Sequence, residues 1–218
     1  MSVDERMVHD IVQKVMANMQ ISGSVSGMHG VFKDMNDAIN ASIEAQKKVC
    51  TMTLDQREQI ISLIRKKTHE NAEILANMGV NETGMGNVGD KILKHRLTAD
   101  KVPGTEDIST IAWSGDRGLT LVEMGPFGVI GAITPATNPS ETVICNCIGM
   151  LAGGNTVVFN PHPNAKKTTI YTINMINEAS IEAGGPDNIA VTVEAPTLDT
   201  SAIMMKHPSI HLLVATGG

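Results

Sequence analysis

Residues 125–163 read GPFGVIGAITPATNPSETVICNCIGMLAGGNTVVFNPHP, and this stretch decides the fold. Its first apolar run, residues 129–133, is short and rich in β-branched side chains. It stops at Thr134-Pro135-Ala136-Thr137-Asn138-Pro139, a segment too rich in Pro, Thr and Asn to continue a strand. Pro139 suits a first helical position, where a missing N–H costs nothing; Asn138 suits the N-cap, and Glu141 puts a negative charge in the first turn. The helix so begun ends at Gly153-Gly154. A second buried strand over 156–159 breaks at Asn160-Pro161-His162-Pro163. The pattern is a β-α-β unit.

The rest of the chain is consistent with a globular α/β protein. At 218 residues and 42% hydrophobic it is long enough to bury a sizeable core. Three Phe, one Trp and one Tyr stand against 14 Met, so Met, Ile, Val and Ala must do the packing. The net charge of −6, with no basic run longer than the three residues Arg65-Lys66-Lys67, argues against nucleic acid as a partner. No apolar run approaches the ~20 residues a membrane span needs, and the acidic N-terminus lacks the make-up of a secretory signal. The expectation is a soluble, intracellular protein without a membrane partner. Three cysteines, Cys50, Cys145 and Cys147, have neither disulfide nor zinc spacing and fit a reducing compartment.

Outward from the central unit toward the N-terminus, residues 3–20 place Met7, Val8, Ile11, Val12, Val15, Met16 and Met19 at helical intervals, with Asp4, Glu5, Asp10, Lys14 and Asn18 opposite. The Gly/Ser-rich run 21–30 follows as a flexible linker. A short amphipathic helix on a tether either packs back on its own body or docks on another protein, and the pattern leaves both open. Residues 31–76 read as two helical segments separated at 54–57. Residues 79–86 read as a glycine-punctuated turn and 88–99 as a further helical piece. Residues 110–113 and 119–123 flank SGDRG, a hairpin signature.

Toward the C-terminus, Asn164 suits the cap of a long amphipathic helix ending at Gly184-Gly185-Pro186. A strand over 189–193, a short helix from Asp199 and a last strand over 210–214 complete β-α-β-α-β-α-β. Alternation of this kind implies a Rossmann-like parallel sheet, with any ligand lying beyond the carboxyl ends of the strands. Those ends are the loops 134–138, 160–163, 194–197 and 215–218. Any one of them is ordinary punctuation; four together, each small and polar, read as a site facing helix N-termini. The β-α-β unit itself carries no G-x-G-x-x-G fingerprint, because Gly125, Gly128 and Gly131 surround a strand instead of opening a helix. His207 and His211 are separated by Pro208 and share no helical face, so no metal site is expected.

The runs GPFGVIGAITPATNP, AGGNTVVFNPHPNAKK, AGGPDNI and LLVATGG, together with ETGMG at 82–86 and the GDRGLTL hairpin, resemble the aldehyde dehydrogenase superfamily. The likeness is to its CoA-acylating branch from bacterial propanediol and ethanolamine utilisation, over the N-terminal portion of such an enzyme. It implies a parallel sheet of the aldehyde dehydrogenase type with an N-terminal helical segment and a β-hairpin excursion. The implied divisions are a targeting helix over 1–20, a linker over 21–30, a helical part over 31–109, a hairpin over 110–124 and a dinucleotide-binding core over 125–218.

The implied reaction oxidises a short-chain aldehyde with NAD and transfers the acyl group to coenzyme A through a cysteine thioester. The resemblance places the nucleophile downstream of the ATGG turn, so none of the three cysteines is expected to supply it and all three read as structural. By the same likeness Thr134, Pro135, Ala136 and Thr137 line the nicotinamide side of the cofactor, and Asn138 is the amide that hydrogen-bonds a developing oxyanion. Asn160, His162 and Pro163 stand in the loop that holds the adenosine ribose in non-acylating relatives, where a Lys and a Glu are replaced here. Thr216, Gly217 and Gly218 open the turn that meets the pyrophosphate. The implied partners are aldehyde, coenzyme A, a microcompartment shell protein through residues 1–20, and further copies of the full-length chain, in a cytoplasmic microcompartment lumen. The other reading of these residues is a non-catalytic nucleotide-binding and shell-docking module. Glu141 reads as a first-turn helix acid rather than a general base.

Overall fold

The computed structural model describes residues 27–217, so the amphipathic segment 1–20 and the first part of the linker lie outside the described residues. Five parallel strands form the central sheet: β1 (Val31–Phe32), β4 (Val129–Thr134), β5 (Thr156–Pro161), β6 (Ala190–Val193) and β7 (Leu212–Ala215). Their order is β1-β6-β5-β4-β7. β2 (Ile111–Gly115) and β3 (Gly118–Val122) pair antiparallel as the separate hairpin.

Helices cover both faces because the strands are apolar on both sides, as parallel strands must be. On one face α1 (Met35–Val49) and α6 (Leu198–Lys206) bury Met35, Ile39 and Met204 against Val129, Val158 and Val191. On the other, α2 (Leu54–Thr83), α4 (Pro139–Ala152) and α5 (Lys166–Glu182) bury Ile61, Ile64, Ile144, Ile148 and Ile176 against Ala132, Val157 and Phe159. Val157 and Phe159 thus face one layer and Val158 the other, the period-two alternation of a strand. α3 (Val88–Lys101) packs against α2 and α4.

Several local expectations are corrected. Residues 31–32, expected in a helix, form an edge strand: Thr192 N–H donates to the Gly30 carbonyl and Glu194 N–H to that of Phe32. Residues 54–57 do not separate two helices but open α2, because Thr53 and Gln56 form a capping box there. α2 then runs on to Thr83, so the glycine turn is confined to Gly84 and Gly86, both at positive φ. Asn164 does not cap α5. The Glu82 carboxylate, arriving from the end of α2, accepts from the N–H groups of Lys167 and Thr168 at 2.7 and 2.8 Å and from the Thr168 hydroxyl.

The chain is held from His29 onward. His29 N–H donates to Asn174 Oδ1, and its ring lies 2.8 Å from Asp187. Gly30, at φ +76°, passes so close to Asn177 and the Ala190 carbonyl that a Cβ would meet them at 2.3 and 2.4 Å.

Candidate active site

All five parallel strands end on the same edge, and the strand order reverses between β4 and β7. A crevice opens at such a reversal because the connections on its two sides depart in opposite directions. Thr216 N–H donates to the Ile133 carbonyl at 3.0 Å, and Gly217, at φ +107°, rests against Pro135, where a Cβ would come within 3.2 Å. The loops 134–138 and 216–217, expected in one site from sequence, are therefore neighbours. Beside them lies a cleft of about 370 Å³ whose lining includes Leu97, Asn138, Glu141, Cys145 and Thr216.

Asn138 sits at the N-cap position of α4, but its side chain makes no capping bond. Its Oδ1 instead accepts from Lys94 Nζ on α3 at 3.3 Å. Thr134 is buried, and its Oγ1 has no partner among the described residues. Ala136 is half-buried and Thr137 is exposed beside it.

The second group of expected residues lies on the far side of β4, joined to the first where His162 N–H donates to the Thr134 carbonyl at 3.0 Å. The Asn160 side chain is turned away into α6. It donates to Ser201 Oγ at 3.0 Å and the Thr197 carbonyl at 3.3 Å, and accepts from Thr200 Oγ1 at 2.7 Å. His162 and Pro163 are exposed, and His162 Nδ1 accepts from Asn164 N–H. Gly218 lies outside the described residues.

Beneath the loop is a buried charged cluster that the sequence did not reveal. Glu141, expected as an ordinary first-turn acid, is 6% exposed and paired at 3.1 Å with Lys91, which is 3% exposed. Lys91 Nζ also donates to the Thr137 carbonyl at 2.8 Å. His95 is fully buried. Its Nδ1–H donates to the Lys91 carbonyl at 2.7 Å, and Nε2 lies 2.7 Å from Ser140 Oγ. Burial holds the imidazole below its ordinary pKa, against the opposing pull of Glu141. In the neutral ring Nε2 is an acceptor, so the Ser140 hydroxyl proton goes to it. Removing one partner of such a buried ion pair costs about 3–5 kcal/mol, because the other charge is left uncompensated. Lys91 and His95 are spaced four apart on one helix face, and Glu141 interrupts an otherwise apolar helix. Those were the only signals in the sequence.

Two of the three cysteines, Cys145 and Cys147, are held protonated by burial. Cys147 is buried in the core, and burial pushes its thiol well above the ordinary range. Cys145, at the cleft, is also raised by burial, with Glu141 adding to the effect. Cys50 ends α1, exposed and remote from the cleft in sequence and element. A thiol held protonated is a poor nucleophile. Among the described residues no group of three His, Cys, Asp or Glu could hold a metal ion, and no helix is long and apolar enough to cross a membrane.

An open parallel α/β sheet that reverses order beside a crevice is the architecture in which dinucleotides bind. The chain belongs to the aldehyde dehydrogenase family, whose model matches residues 16–218. It is 46% identical, over 98% of its length, to an acetylating acetaldehyde dehydrogenase of Bilophila wadsworthia, of which it covers 46%. A propionaldehyde dehydrogenase from the Clostridium phytofermentans fucose utilisation bacterial microcompartment superposes with a TM-score of 0.86 at 72% identity, over 87% of this chain and 44% of that one. A Rhodopseudomonas palustris propionaldehyde dehydrogenase with bound propionyl-CoA gives 0.84 at 48% identity, over 87% and 42%. The chain spans less than half the length of these relatives.

Proposed function

We propose that this chain contributes the cofactor-binding part of a CoA-acylating aldehyde dehydrogenase, which converts a short-chain aldehyde, coenzyme A and NAD to acyl-CoA and NADH. The observation that carries this reading is the meeting of loops 134–138 and 216–217 beside a cleft at the β4–β7 reversal, with Asn138 on its wall. Bound NAD supplies the hydride acceptor. Thr134, Pro135, Ala136 and Thr137 flank its nicotinamide, and Thr216, Gly217 and Gly218 approach its pyrophosphate, where small residues let backbone N–H groups come close. His162 and Pro163 lie on the ribose side. Asn160 acts there through the N-terminus of α6, to which its amide is bonded. Asn138 donates to the oxygen of the reacting carbonyl. The attacking thiolate is none of Cys50, Cys145 and Cys147.

The relatives' names support coenzyme A as cosubstrate and a microcompartment lumen as the place of action. Residues 1–20 are the segment proposed to dock on shell protein, residues 21–30 link it to the body, and the full-length protein is proposed to self-associate. Within the body, 31–109 is the helical part, 110–124 the hairpin and 125–218 the dinucleotide-binding core.

The test is an assay of the product of the complete open reading frame with propionaldehyde, NAD and coenzyme A. NADH formation that depends on coenzyme A is the expected result, and its absence overturns the proposal. The burial of Cys147 and the raised pKa of Cys145 favour a second reading for the 218 residues alone, a non-catalytic nucleotide-binding and docking module. Turnover by the 218-residue chain would sink that one.

A further inference from the structure

α3 presents Lys91, Lys94 and His95 toward α4 at the i, i+3, i+4 spacing of one helix face. Lys91 is the one lysine among the described buried residues. Its stem lies along the last turns of α2 and the glycine turn that follows: a Cβ on Gly79 in the helix would stand 3.8 Å from Lys91 Cδ, and one on Gly86 in the turn 3.5 Å from Cε. Its ammonium spans the Thr137 carbonyl and Glu141. One turn further on, Lys94 reaches Asn138 Oδ1. A cation faces only the oxygen end of an amide, so this contact leaves Nδ2 as the end available to donate.

We propose that Lys91 and Lys94 are positioning residues for Asn138, Lys91 clamping the backbone of the 134–138 loop through the Thr137 carbonyl and Lys94 fixing which end of the amide meets the substrate. The proposal rests on the role given to Asn138 above. Neither lysine takes part in bond making. Each removes a freedom that would otherwise have to be lost in the transition state, and a preorganised donor is effective because it needs no reorganisation there.

The competing account is that Lys91 merely neutralises Glu141. The single variant K91M cannot separate the two, because it strands a buried carboxylate and weakens the fold for that reason alone. The double variant K91M/E141Q removes both charges and leaves the Thr137 carbonyl without its donor. In the complete protein, hydrogen–deuterium exchange of peptides spanning 134–141 is expected to quicken about tenfold in K91M/E141Q, with kcat lowered about tenfold and the aldehyde KM little changed. K94M, at an exposed position, is expected to lower kcat about tenfold with exchange and melting temperature at the wild-type values. Wild-type exchange and kcat in K91M/E141Q would show that Lys91 is only a counter-ion and overturn its part. Wild-type kcat in K94M would overturn the orienting role. If the wild-type protein shows no aldehyde-dependent turnover, the functional reading fails, while the exchange of K91M/E141Q still decides whether Lys91 holds the loop.

Discussion

Acidifying the protein from pH 7.5 to 5.5 should cost it stability through His95, and the size of the effect can be worked out. The ring is fully buried, and desolvation outweighs the attraction of Glu141, so its folded pKa lies below the ordinary value of 6.5. The unfolded chain therefore takes up the proton first. Stability present above pH 6.5 is lost as the pH falls, down to the folded pKa. If the folded ring stays neutral throughout, the loss between pH 7.5 and 5.5 is RT ln(11/1.1), about 1.4 kcal/mol. Other groups titrate in the same range, so the measurement is a comparison. Urea unfolding at the two pH values is run on the wild type and on His95→Gln, which cannot titrate. The difference between their pH dependences isolates His95 whatever the absolute stability of the variant. An equal dependence in both proteins would refute the reasoning. A wild type relatively more stable at pH 5.5 would mean that Glu141 governs the ring and burial does not.

Glu82→Ala should destabilise the fold by about 2 kcal/mol, the upper end for loss of a helix cap, since α5 loses its distant carboxylate from two backbone N–H groups and a hydroxyl. Calorimetry should show a melting temperature lower by about 4–8 °C, and an unchanged value would mean that water replaces the carboxylate without loss. The cysteines should react with a small thiol reagent in the order Cys50, then Cys145, with Cys147 modified only after denaturation. Peptide mapping of the labelled sites checks this, and early labelling of Cys147 would contradict the packing described.

Local sequence determined those parts of the molecule that local forces determine. Apolar β-branched runs bounded by Pro, Asn and Gly made β4, β5 and β6 legible, and SGDRG made the hairpin legible, because a strand's period and a turn's dihedral needs are written in adjacent residues. The grouping of 134–138 with 216–217 followed from strand alternation alone, since parallel strands put their carboxyl ends on one edge. The two-residue β1 was not legible, because so short a segment has no period of its own and is a strand only by pairing with β6, some 160 residues away in sequence. The same holds for the start of α5, whose cap arrives from α2.

The site divides in the same way. That Asn138 would stand at the mouth of a helix could be read from Pro139 and Glu141. That Asn160 would turn into α6, and that Glu141 would be buried against Lys91, could not. A carboxylate in a helix's first turn has the same sequence signature whether water or a lysine faces it. Only the packing of α3 against α4 decides which, by excluding the water.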